Sequence, residues 1–160
     1  MIRTISSDVQ IMPVLTALSA DAATDRTSEV IDCAGYNRCC ILYHCGPQHN
    51  SSVLDIYLQH ADAASDQTTL TSGADVLGSS QVVAGTDDGN VKYIEFIPAK
   101  RYAQVVVNKD GTNATNESCI ALLYNADESP VTHAAGGTGA GTGTGSVAGE
   151  VLGLLTSGTK

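Results

Sequence analysis

The chain is predicted to be all-β: an antiparallel β-sandwich or jelly roll with a flexible Gly/Thr-rich C-terminal arm. Three observations predict this. Short apolar runs, several with a period of two, recur between turn signals. No segment carries a helical period long enough to organise a core. Gly136–Gly145 reads GGTGAGTGTG, and such side chains cannot offset their own ordering entropy, so this stretch is a tether.

The elements follow in order. Val9 to Leu15 is a short mixed strand, and Pro13 keeps it off a central position. Leu18 to Thr27 is a small-residue loop or one helical turn. Ser28 to Asp32 is a strand, and Gly35-Tyr36-Asn37 is a turn. Arg38 to Cys45 is a continuous apolar strand, expected to be covered on both faces. Gly46 to Ser52 is a loop. Val53 to His60 alternates, which puts Leu54, Ile56 and Leu58 on the inner face and Asp55, Tyr57 and Gln59 outside. Ala61 to Ser80 is a long, polar, irregular connection with a weak apolar patch at Val76-Leu77, and Gln81 to Ala84 is a short strand.

Asp87-Asp88-Gly89-Asn90 is a turn of the hairpin kind. Val91 to Ile97 is a strong strand closed by Pro98, and Arg101 to Asn108 is another. After a turn at Lys109–Asn113, Ser118 to Tyr124 is the last core strand. Seven or eight strands result, which is the pattern of a sandwich or jelly roll.

A chain of 160 residues has room for one domain. Residues 1–27 are an N-terminal arm or edge strand, 28–130 the sandwich body, and 131–160 the tether with an apolar docking segment. That segment contains Val147, Val151, Leu152, Leu154 and Leu155, the candidate partner-binding residues. A short apolar stretch on the end of a tether makes sense if it docks on something. The core must be aliphatic, since there is no Trp and Phe96 is the single Phe. The net charge of −9 argues against direct binding of nucleic acid or an anionic membrane, both of which select clustered Lys and Arg. No apolar run approaches the ~20 residues of a membrane span. The N-terminus lacks the basic-then-apolar order of a signal peptide, so synthesis in the cytoplasm is expected.

The five cysteines, an odd number without a secretion signal, argue against a disulfide framework. Cys39, Cys40, His44, Cys45 and His49 include the residue types of a zinc site. Adjacent Cys39 and Cys40 point to opposite faces of a strand, however, and the paired spacing of structural zinc is missing. Buried thiols and loop histidines are the simpler reading. Cys45 near His44 or His49 lacks the third group that a Cys–His hydrolase needs. Asp55, Asp62, Asp66, Asp87 and Asp88 do not follow the calcium-loop pattern, and the glycine run matches no phosphate loop. No catalytic residue, cofactor or metal ligand is assigned, and the chain reads as an assembly component rather than an enzyme.

Three segments carry a family resemblance. They are Ser28-Glu29-Val30-Ile31-Asp32-Cys33-Ala34-Gly35-Tyr36, then Leu54-Asp55-Ile56-Tyr57-Leu58-Gln59-His60-Ala61-Asp62, and the run from Tyr93 to Val105 through Lys100-Arg101-Tyr102, which is similar to a hairpin of the family. In order and spacing they resemble small proteins encoded near the major capsid gene of tailed bacteriophages, some of them capsid decoration (cement) proteins. Phe96, Pro98 and Gln104 depart from the pattern, as do the cysteines and the tail. The resemblance implies a structural virion protein on the outer capsid surface. Its partner would be the major capsid protein, which it would cement against internal DNA pressure. A homo-oligomer, with a trimer at three-fold positions favoured, fits such a shell. The alternatives are a carbohydrate- or host-surface-binding sandwich, which would use Tyr57 or Tyr43, and a connector or tail protein.

Overall fold

The computed structural model describes residues 5–15, 24–47, 53–110 and 117–128. A single helical turn, Ile5–Asp8, leads into β1 (Val9–Leu15). Then come β2 (Arg26–Thr27), β3 (Ile31–Asp32), β4 (Tyr36–Cys45), β5 (Val53–Ala61), β6 (Ala63–Ala64), β7 (Leu70–Thr71) and β8 (Ala74–Asp75). The last four are β9 (Gln81–Ala84), β10 (Val91–Phe96), β11 (Tyr102–Asp110) and β12 (Glu117–Ala126).

Two antiparallel sheets form the molecule. The first has the order β1-β12-β4-β10, and the second β2-β11-β5-β8, with β3 also on β11 and β9 also on β5. A small ribbon, β6-β7, forms a ladder of its own. The predicted all-β sandwich is the observed fold.

The core is where the two inner faces meet. Cys39, Ile41, Tyr43 and Cys45 from β4, with Cys119, Ala121 and Leu123 from β12, face Leu54, Ile56 and Leu58 from β5 and Ala103, Val105 and Val107 from β11. Alternation sets this pattern, since every second side chain of a strand shares a face. Small residues (Ala103, Ala121, Cys39, Cys119) leave space for Tyr43, the largest fully buried side chain.

β1 is the edge of the first sheet. Its ladder with β12 shifts register between Pro13 and Leu15. Proline lacks an N–H, so an edge and an irregularity are where it is tolerated. The shift lets Val14 and Leu15 both turn inward, and both are buried.

Twelve strands are present among the described residues rather than seven or eight, Tyr36 and Asn37 open β4 instead of forming a turn, and Lys109 and Asp110 end β11. Four further expectations need correction. Ser28–Asp32 is not one strand: Ser28 to Val30 interrupts the run between β2 and β3. Ser28 replaces ladder bonding locally, since its N–H donates to Val105 O at 2.8 Å and its Oγ accepts from Val105 N at 2.9 Å. Asp87–Asn90 does not close a hairpin. It carries the chain from β9, paired to β5 in the second sheet, to β10, paired to β4 in the first.

That corner is pinned to the end of β4: Gly89 N donates to Cys45 O at 2.8 Å, and Cys45 N to Asn90 O at 2.9 Å. The third correction is similar. The run from Tyr93 to Val105, hairpin-like by resemblance, crosses back from β10 in the first sheet to β11 in the second. Arg101 fixes this crossing through a two-point contact to Asp32, at 3.1 and 2.8 Å. Fourth, β4 is covered fully on one face alone. Cys40 and Leu42 are half-buried and His44 is exposed.

Candidate interaction surface

The two outer faces of the sandwich differ in chemistry. On the second sheet, Asp55 pairs with Asn108, Tyr57 with Val106 and Gln59 with Gln104. Val53 (45%) and Val82 (61%) are exposed on the same side, so this face is mixed rather than polar, and part of it is roofed by the excursion between β5 and β9. Gln104, buried, donates its Nε2 to Ser28 O at 2.6 Å and to Thr68 O at 2.7 Å, and Val30 N donates to Gln67 O at 2.7 Å. At the other end lies a shallow groove of about 370 Å³ lined by Asp55, Tyr57, Asp75, Val76, Leu77, Ser80 and Asn108.

The first sheet presents an apolar outer face. Its cross-strand rows follow from the register. One runs Tyr93, Leu42, Ile120, Pro13; the next runs Glu95, Cys40, Leu122, Ile11. Val91, His44 and Ser118 flank one end, and Arg38, Tyr124 and Val9 the other. Tyr93 is 63% exposed, Val91 55% and Ile120 40%. A contiguous apolar patch of this kind marks an interaction site more often than it marks bare surface.

The ionised side chains of this face, Arg38 and Glu95, lie together at one side, with His44 and Ser118 at the opposite end. Arg38 lies 3.5 Å from the Glu95 carboxylate, and Tyr124 donates its hydroxyl to the same group. Burial first, then the bond to Glu95, pushes the Tyr124 phenol up to about 12. Cys40 is raised by burial and then by the Glu95 charge. These groups therefore hold their protons at neutral pH and present a net apolar surface with one paired corner.

The five tail residues singled out from the sequence, Val147, Val151, Leu152, Leu154 and Leu155, lie outside the described residues, as does His49. The zinc-type residues are divided by the sheet: Cys39 and Cys45 point into the core, and Cys40 and His44 outward. Among the described residues no three His, Cys, Asp or Glu side chains converge on a point where an ion could sit. Four of the singled-out aspartates are engaged locally. Asp55 accepts from Ser80 Oγ, Asp62 meets Lys100, Asp66 accepts from Thr68 N, and Asp87 accepts from Ala84 N and meets Lys92. Tyr43 is 2% exposed and belongs to the core, so it is removed as a sugar-stacking candidate.

The sequence reading missed the outer face of the first sheet. A signal was present, because β4 and β12 are apolar at both parities. In β4 that pattern implies coverage on both sides, and in β12 it implies only a core strand.

Among the described residues no helix is long and apolar enough to cross a membrane. No protein-family model matches the chain, and no curated protein does. Among solved structures the chain is similar to one described as the structure of infectious bursal disease virus, Gx strain. The identity is 13% and the TM-score 0.25, over 76% of this chain and 33% of that one. The chain thus spans about a third of that chain, and a likeness of this depth carries no inference.

Proposed function

We propose that this protein is a structural component of a bacteriophage virion, a decoration protein that binds the outer capsid surface and cements neighbouring capsomers. The observation that carries this reading is the apolar outer face of the first sheet, where Tyr93, Val91 and Ile120 are exposed in rows with Leu42, Leu122 and Ile11; the face of the second sheet is mixed and partly roofed. A sandwich of that kind is built to be covered on one side. The three-segment resemblance to capsid-associated proteins supports the same reading.

The mechanism needs no active site. Packaged DNA pushes capsomers apart, and a protein that binds only the mature lattice stabilises it by its binding free energy. Many weak contacts repeated by symmetry become strong through effective concentration. The Gly136–Gly145 tether would let Val147, Val151, Leu152, Leu154 and Leu155 reach an adjacent subunit. The partner is the major capsid protein, and a trimer at three-fold positions matches the sites such a shell offers. Particles sedimented from a lysate of the source virus test this by mass spectrometry. A fixed ratio approaching that of the major capsid protein is expected. A ratio far below it would move the assignment to a connector or tail protein, and absence from particles would end both.

A second reading draws on the groove, where Tyr57 stands with Asp55, Asp75 and Asn108. An aromatic ring beside carboxylates and an amide is a combination that binds sugars. A glycan-array signal lost in Tyr57→Ala would favour a carbohydrate-binding module.

A further inference from the structure

We propose that in the free protein the apolar outer face of the first sheet is covered by the C-terminal segment Val147–Leu155 of the same chain. The face is about 15 Å across its four strands and about 20 Å along them, from ordinary strand spacings. That footprint of about 300 Å² is under half the ~800 Å² per partner of a standard interface, so against another protein it serves only as one of many repeated weak contacts. It suits a single extended segment. Val147–Leu155 spans about 27–30 Å when extended, close to the diagonal of the face. It carries Val147, Val151, Leu152, Leu154 and Leu155 with one charge, Glu150.

The described residues also end at the right place. β12 is an inner strand of this same sheet, and the described residues end at Glu128, two positions beyond its end at Ala126. Roughly 18 residues separate Glu128 from Val147, and a Gly-rich tether of that length has a root-mean-square span of about 20–25 Å. The span matches the face. A tether matched to its site gives an effective concentration in the millimolar range. A second copy at ordinary concentrations cannot equal that. Each copy also carries a net charge of −9, which opposes self-association at low salt. The segment of the same chain is therefore the favoured occupant.

Cys40 supplies a native reporter. It sits within the face, half-buried, whereas Cys33, Cys39, Cys45 and Cys119 are buried. The experiment labels the native full-length chain with a maleimide and locates the modified thiol by peptide mass spectrometry. It compares wild type with L152S/L154S/L155S, and circular dichroism checks that both bodies are folded. A cover closed nine-tenths of the time slows labelling about tenfold. The triple variant should therefore react at Cys40 about tenfold faster, with a wild-type rate independent of protein concentration. Equal rates in the two chains overturn the proposal. Protection that grows with protein concentration overturns it too, by assigning the face to a second copy. The purified chain is the sample, so the result stands apart from whether the protein is found on virions.

Discussion

Cys39 and Cys119, enclosed between the sheets, should make the folded state lose stability in alkali. Cys39 is raised far above the usual thiol value of 9.0 by its bond with Cys33 and then by burial; Cys119 is raised by burial and then by Cys40. In the unfolded chain both ionise as pH passes about 9, whereas the folded chain keeps both protons. The folded state then binds more protons, so its stability is fully present below that pH and falls as pH rises. The slope is about 1.4 kcal/mol per pH unit for each thiol. Melting temperatures between pH 7.5 and 10.5 should therefore drop steeply above pH 9, and Cys119→Ala should show a shallower fall. A flat curve to pH 10 would remove this account. Backbone conformation matters in the same way at Gly35, whose φ is +80° with no atom near the position of a Cβ. Gly35→Ala should cost about 1–2 kcal/mol by urea denaturation, all of it from the left-handed backbone. A loss near zero would mean that the turn relaxes.

The excursion between β5 and β9 depends on one side chain from another strand. Gln104, on β11, bonds the carbonyls of Ser28 and Thr68 from a buried position. Removing its amide leaves both carbonyls without that donor, at a cost of about 2 kcal/mol. Gln104→Ala should lower the denaturation midpoint accordingly and speed proteolysis between Asp62 and Ser80; an unchanged cleavage pattern would show that other bonds hold the roof. This side chain also marks the limit of what was legible. Leu54, Ile56 and Leu58 were placed inside correctly because strict alternation has one solution when one face is buried. Pro13 marked an edge because a missing N–H has few tolerated places. Asp87–Asn90 misled because turn residues specify a reversal of the chain but not which sheet receives the next strand. That choice is made by contacts distant in sequence, such as Gly89 N to Cys45 O. The candidate face was half-legible. Apolar residues at both parities of β4 and β12 disclosed a second greasy side, but local sequence does not say what covers it.

At the scale of the molecule, a face that fits an extended segment and a tethered segment that fits the face form one contact with two possible owners. In the free chain, effective concentration favours the segment's own face. On a lattice that holds copies side by side, the same segment can take a neighbour's face instead. The exchange replaces a contact by its equal, so it costs little, which is why swapping an identical element is an easy route to assembly. Under the proposed function the linkage would then repeat across the shell. Deleting Gly136 to Lys160 should leave the body folded yet weaken attachment to particles. Ile120→Glu, which puts a charge in the middle of the face, should weaken attachment by a similar factor in the full-length chain. The two changes together should lose little more than either alone, because residues that share one contact are not additive. Occupancy on purified particles, measured against the major capsid protein, reads all three. Unchanged occupancy after the deletion would dispose of the arm. Losses that add would mean that the segment and the face have different partners, with the face seated on the capsid and the segment elsewhere.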